Sequence, residues 1–239
     1  MTNNKHEIKE PEVEGRGIYD RLLDLPPFRG ATVDSLSKIV GTTKFHFLKY
    51  PAGTLVLRRD APCDHLTMLI SGSVDIRLTS NDGRFEISQT LTGPDVVMPD
   101  FLFGRERVFP ADVKALTTVS VLQIQKNDFL TILTADNVYL LNYLNYITTS
   151  SQHALEGVLA LTGGSVVTRL AYWITTLTQK SAVDITVRCR PRDLSSALGV
   201  QRSVFNSALA ELSEKGIVEA RADCLRIVDR RKLEKLLTE

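Results

Sequence analysis

From Phe45 to Gln125 apolar and polar residues alternate in short runs, the two-residue period of strands with one buried face. Phe45-His46-Phe47-Leu48-Lys49-Tyr50 and residues 54–59 flank Pro51-Ala52-Gly53, and residues 66–70 and 74–78 flank Ser71-Gly72-Ser73. Asn81-Asp82-Gly83 is a strong hairpin signal ahead of residues 85–91, since Asp and Gly tolerate the positive φ angles of a tight turn. Residues 113–116 and 119–124 end the series. Short strands separated by Gly, Pro and Asp turns predict an antiparallel barrel or roll. Two short helices, residues 18–25 and 33–40, precede it, with Asp34 and Ser35 in the first turn of the second.

The period lengthens after Lys126-Asn127-Asp128-Phe129. Leu140, Leu144, Ile147, Ser151, Ala154, Val158 and Leu161 recur at alternating steps of four and three, the seam of a coiled coil. A stripe facing its own barrel would drift at about 3.6 residues per turn. This one holds about 3.5 over three heptads, so residues 140–158 are expected to form a dimer interface. Tyr139, Tyr143 and Tyr146 make a second stripe, placed to pack against the barrel. Thr162-Gly163-Gly164-Ser165 breaks the helix, and Ser165 is placed to cap the next one, residues 166–178.

The last third carries the chemistry. Leu194, Ala197 and Leu198 share one face of a short helix, Gly199 stops it, and Val200 plugs the angle to a second helix. Val204, Ala208 and Leu212 are its expected buried face. Two short helices crossing at a glycine turn form a helix-turn-helix, whose second helix enters the DNA major groove. That helix shows Gln201, Arg202, Ser203, Asn206 and Ser207, all able to bond base edges or phosphates, with no carboxylate before Glu211. Arg190 and Arg192, with Arg188, precede the pair and are candidate phosphate contacts. Lys215-Gly216 ends the second helix, and residues 217–220 and 224–228 read as a hairpin around Arg221-Ala222-Asp223. Residues 184–188 supply a third strand, giving a winged helix.

Charge agrees mildly. Residues 165–239 carry 13 Lys/Arg against 9 Asp/Glu, net +4, and the remainder carries 16 against 19, net −3. A net of +4 is too small to hold DNA by charge alone, and a dimer would double it. At 239 residues and 43% hydrophobic content the chain is long enough for about two domains. No apolar run approaches the roughly 18 residues of a membrane span, and polar residues 1–14 do not resemble a signal peptide. Cys63, Cys189 and Cys224 show no paired spacing, which argues for a reducing cytoplasm and against disulfides. The expected organisation is a flexible tail at 1–17, a sensor-type roll at 18–129, a dimerisation helix at 130–161, a hinge at 162–165 and a winged helix-turn-helix at 166–239.

This order of parts resembles the Crp/Fnr superfamily of bacterial transcription regulators. The likeness runs from about Phe45 to Val228 and rests on Tyr50-Pro51-Ala52-Gly53, on Ile70-Ser71-Gly72-Ser73-Val74 and on the winged helix-turn-helix. It implies an α+β chain with a cupin-like, cyclic-nucleotide-binding-type roll. It further implies a cytoplasmic homodimer that reads a two-fold-symmetric operator, with RNA polymerase as a partner if it activates. Arg202 stands where family members often place the arginine that contacts guanine. Ser203 and Ser207 replace the acidic and basic residues that commonly accompany it, so the operator is expected to differ from the best-known consensus.

The departures bear on the effector. Cyclic-nucleotide-binding members use a Gly-Glu pair for the ribose and an Arg-Ser/Thr pair for the phosphate, and Met98-Pro99 and Phe109-Pro110 occupy those places here. Ala154 and Leu155 replace the helix hydroxyls that touch the base. Burying an unpaired phosphate costs several kcal/mol, so no cyclic AMP binding is expected unless Arg105 or Arg107 swings in. No cysteine precedes Cys63, which excludes the N-terminal iron–sulfur cluster of the oxygen-sensing branch. Haem would need a ligand from His46, His65, His153, Met98 or Cys63, which no spacing pairs, so no cofactor is expected. Met98, Phe101, Leu102, Phe103, Phe109, Tyr139 and Tyr143 are either a pocket for an unknown small-molecule effector or filled core. Two rival classes are a cupin-like metalloenzyme and a ligand-binding adaptor without DNA recognition. Four unclustered histidines count against the first, and the polar face of the second helix against the other.

Overall fold

The computed structural model describes residues 17–237, so most of the expected N-terminal tail lies outside the described residues. Two short helices open it, α1 (Ile18–Asp24) and α2 (Val33–Thr42). Thr32 caps α2 by accepting a hydrogen bond from the Ser35 amide at 3.1 Å, so Asp34 and Ser35 lie inside the first turn. The roll follows: β1 (Phe45–Tyr50), β2 (Leu55–Leu57), β3 (His65–Ser71), β4 (Ser73–Thr79), β5 (Glu86–Thr92), β6 (Asp95–Val97), β7 (Ala111–Ala115) and β8 (Val119–Gln125). Alternation predicts all of them except β6, whose Asp95, Val96 and Val97 are all buried and therefore show no two-residue period.

One sheet has the order β1-β8-β3-β6. The β4–β5 hairpin turns at Gly83, where φ is +68°, as Asn81-Asp82-Gly83 predicts. Gly72 joins β3 to β4 at φ +86°, and a Cβ there would lie 2.5 Å from the Thr118 carbonyl oxygen, so only glycine fits.

The helical segment is two helices. The chain ends α3 (Lys126–Ala135) at Asp136 and restarts as α4 (Asn137–Gly163), so the long helix begins at Asn137 rather than at 130. Asp136 imposes the break: its carboxylate accepts from the Val138 amide at 3.0 Å and from the Ser35 hydroxyl at 2.9 Å. Those bonds hold the carboxyl below the usual carboxylate range. Ser165 caps α5 (Val166–Thr176) through the Thr168 amide, as expected, and Gly164 sits between the helices.

The head contains α5, β9 (Val183–Arg188), α6 (Pro191–Ala197), α7 (Arg202–Glu214), β10 (Val218–Ala220), β11 (Cys224–Ile227) and α8 (Arg230–Lys235). Its core includes Leu170, Ile174, Leu194, Leu198, Phe205 and Leu212, all nearly inaccessible. The inward residue of α7's first turn is Phe205, and Val204 is 49% exposed. Ala197 is likewise exposed rather than buried. In α7, Phe205, Ala208 and Leu212 share the buried face at steps of three and four, which leaves Val204 beside it.

Head and roll share a sheet. Its order is β10-β11-β9-β5-β4-β7-β2, with β9 of the head paired antiparallel to β5 of the roll. Glu86 faces Arg188, Ile87 faces Val187 and Ser88 faces Thr186. Ile87 is buried in the head's core although it belongs to the roll's hairpin.

Candidate nucleic-acid interface

The first turns of α7 build the candidate reading face. Gln201 precedes the helix, and Arg202, Ser203, Asn206 and Ser207 all lie in solvent, with Phe205, Ala208 and Leu212 beneath them. The sequence-predicted set is thus together on one open surface. Gly199 takes φ +64° between α6 and α7, and the Val200 amide donates to the Ser195 carbonyl at 3.0 Å, which fixes the turn. Arg169 was not singled out by the sequence. Its guanidinium donates to the Gly164 carbonyl at 2.9 Å and to the Leu198 carbonyl at 3.2 Å, tying the hinge to the end of α6. Its signal, an arginine one turn into the helix after the hinge, has no meaning until α6 is placed beside it.

The expected phosphate arginines are partly occupied. Arg190 donates to Asp193 at 2.6 Å and Arg192 lies 3.9 Å from it, while both side chains stay mostly exposed. Asp193 is 8% exposed, and the Arg190 hydrogen bond with the surrounding guanidinium charge keeps its carboxyl below the usual range. Arg192 therefore keeps most of its donors for an outside partner.

The stripe on α4 divides. Leu144, Ser151 and Val158 are exposed, with Val158 at 61%. Leu140, Ile147 and Ala154 are half-buried, the first two against the roll's core. Leu141 and Leu155, 56% and 62% exposed, complete an outward face with Leu144 and Val158 that is turned by one residue from the expected seam. Tyr139, Tyr143 and Tyr146 point the other way, as expected, onto the roll. Gly157 lets α5 approach: a Cβ there would lie 2.7 Å from the Thr176 hydroxyl.

The expected effector pocket is split as well. Met98, Tyr139 and Tyr143 are buried in the roll's core. Tyr139 shares a 3.0 Å hydrogen bond with Ser35, Tyr143 donates to the Pro99 carbonyl at 2.9 Å, and burial raises both phenols. Phe103, Phe129 and Tyr143 stack edge and face, with Phe129 and Tyr143 centroids 5.3 Å apart. Phe109 belongs to the same core and Phe101 packs against it, and both also line an open cleft of about 510 Å³ between roll and head. Arg105 and Arg107 stand exposed on the loop between them. Among the described residues no group of three His, Cys, Asp or Glu side chains is placed to hold a metal ion. The His46 and His65 rings do meet edge-on at 6.4 Å, His153 bonds Thr175 at 2.9 Å, and burial pushes the Cys63 thiol up to about 11.

Polar groups also hold the head to the roll. The Gln179 amide nitrogen of the backbone donates to the Gln89 side chain at 2.7 Å. Its side-chain nitrogen donates to the Val96 carbonyl at 2.8 Å and to the Tyr146 hydroxyl at 3.0 Å. Ser181 donates to Asp95, and Arg188 pairs with Glu86 at 2.7 Å.

Residues 47–136 match the model of the cyclic nucleotide-binding domain, and residues 168–236 match the Crp-like helix-turn-helix domain. No curated protein matches the chain at a significant level. Among solved structures, the Thermus thermophilus catabolite activator protein is 18% identical at a TM-score of 0.52, covering 89% of this chain and 98% of its own, a likeness of fold. FixK2 from Bradyrhizobium japonicum is 18% identical at a TM-score of 0.44, covering 81% and 97%. DNR from Pseudomonas aeruginosa is 18% identical at a TM-score of 0.45, covering 93% and 99%.

Proposed function

The chain belongs to the Crp/Fnr superfamily of bacterial transcription regulators, and from that premise we propose that it acts as a homodimer that reads a two-fold-symmetric DNA operator through α7. The observation that carries this reading is the solvent-facing cluster of Gln201, Arg202, Ser203, Asn206 and Ser207 on the second helix of a helix-turn-helix. Arg202 presents a planar fork of donors at the helix start, the end that major-groove docking brings closest to bases. Arg192 and Arg190 contribute phosphate contacts that set register without reading sequence. The exposed face of Leu141, Leu144, Leu155 and Val158 supports pairing with a second copy, which places two reading helices on one duplex.

The protein is not an enzyme on this reading. It works in the cytoplasm without membrane contact, and no helix among the described residues is long and apolar enough to cross a membrane. Its effector is something other than cyclic AMP, or there is none, since Met98-Pro99 and Phe109-Pro110 offer the ribose and phosphate no charged partner. RNA polymerase is the expected partner if it activates. Capture of genomic DNA fragments by wild-type protein and by Arg202→Ala tests the reading. Enrichment of a shared two-fold-symmetric motif by the wild type alone is expected, and equal enrichment by both proteins would overturn it.

A further inference from the structure

The cavity between roll and head has the size and place of a ligand site, since such sites span roughly 300–1,000 Å³ and favour domain interfaces. Four aromatic side chains face it: Phe101 and Phe109 from the roll's loop, Phe85 before β5, and Trp173 of α5, whose ring lies 5.8 Å from that of Phe85. Its charged groups are Arg59, Asp60 and Glu106. The Arg59 guanidinium already donates to Asn81 at 2.8 Å and lies 3.8 Å from Asp60. Glu106 has no ion pair among the described residues, and its chain neighbours Arg105 and Arg107 do not line the cavity. The walls therefore carry aromatic faces, the Arg59–Asp60 pair and one carboxylate without an ion pair among the described residues. Aromatic faces attract cations, and a carboxylate at the rim adds to that attraction.

We propose that this cavity binds an organic cation with an apolar or aromatic body, and that its occupant holds the DNA-binding head to the roll. The site touches β5 through Ile87 and the head through Trp173 and Leu177, so a bound molecule spans both sides of the β5–β9 seam. A ligand that binds only the docked arrangement stabilises it by mass action. The regulatory meaning rests on the proposed DNA-binding function, but the site itself does not.

Trp173 is the chain's single tryptophan, so its emission reports on this cavity. Tetraphenylphosphonium and tetraphenylborate have one shape and opposite charge, and they serve as probes. Tetraphenylphosphonium should quench Trp173 saturably, and tetraphenylborate should bind at least about tenfold more weakly, as expected for a site selected by charge. Glu106→Gln, an exposed position, should narrow that difference at least about threefold. Val108→Phe fills the cavity from its solvent edge and should abolish quenching. Hydrogen exchange at the paired amides of β5 and β9 should slow when tetraphenylphosphonium is bound. Equal binding of the two probes, or unchanged quenching in Val108→Phe, overturns the site. Saturable binding with unchanged exchange overturns the holding role. Selective DNA capture is measured without either probe, so its failure counts against the proposed function and leaves the Trp173 titration standing.

Discussion

The two sides of the DNA-binding head differ in what they wait for. The α7 side is polar and open, with Arg202 and Asn206 in solvent. The opposite side is closed: β9 continues the roll's sheet, Ile87 enters the head's core, and Gln179 bonds three elements of the rest of the chain. Polar groups left in water are satisfied by it and stay free to bond an outside partner. Polar groups buried with partners hold a position, because removing one partner leaves the other unsatisfied at a cost of about 1–3 kcal/mol. The head thus faces an outside ligand on one side and its own roll on the other.

That contrast breaks most sharply at Arg202. Arg202→Ala should weaken operator binding by roughly 2–6 kcal/mol in a dimer, with loss of preference at one base per half-site, because each bidentate pair with guanine discriminates by about 1–3 kcal/mol. Titrations on operator and scrambled DNA at two salt concentrations check it. An unchanged operator-to-scrambled ratio would remove α7 as the reader. Ile87→Ala tests the closed side and should destabilise the protein by about 2–5 kcal/mol in chemical denaturation. The loss should move the emission of Trp173, which shares the head's core cluster with Ile87. A loss far smaller than that would mean that the seam is not packed as described.

Gln179→Ala should have a smaller effect, about 1–3 kcal/mol, by stranding the Val96 carbonyl and the Tyr146 hydroxyl, while the backbone bond to Gln89 is kept. Faster hydrogen exchange at β9 with unchanged exchange in β3 and β8 is the expected pattern, and uniform acceleration would contradict it. Asp193→Asn sharpens the open side. The Asp193 carboxyl is held below its ordinary value of about 3.9, so its ionised form stabilises the head above that pH, and the contribution fades as pH falls through the lowered value. Wild type and variant should therefore differ in thermal stability at neutral pH and converge in acid. Calorimetry with cyclic AMP is expected to show no heat at all, and micromolar binding would show that Arg105 or Arg107 enters the roll.

Much of this was legible in the chain. Alternation located seven roll strands, Asn81-Asp82-Gly83 located the hairpin, and Gly199 with the polar residues after it located the helix-turn-helix and its exposed face. Each of those signals is local, lying within a turn or two of the residues it places. The α4 stripe was legible only in part. Leu144, Ser151 and Val158 face solvent, whereas Leu140 and Ile147 turn toward the roll. Leucine and isoleucine suit an interior and an interface equally well, and periodicity cannot say which neighbour covers them.

The sequence by itself therefore determined the succession of elements and the helix-turn-helix. Only the tertiary structure decided that Met98, Phe109, Tyr139 and Tyr143 fill the roll, with Phe101 and Phe109 also lining a cavity shared with the head. It alone set β9 beside β5, Arg169 beside Leu198 and Gln179 beside Tyr146. Local signals fix φ, ψ and the buried face of each element. Pairings between residues some 30 to 100 positions apart depend on how whole elements pack, and side chains such as Gln179 or Phe109 carry no mark of the partner they will meet.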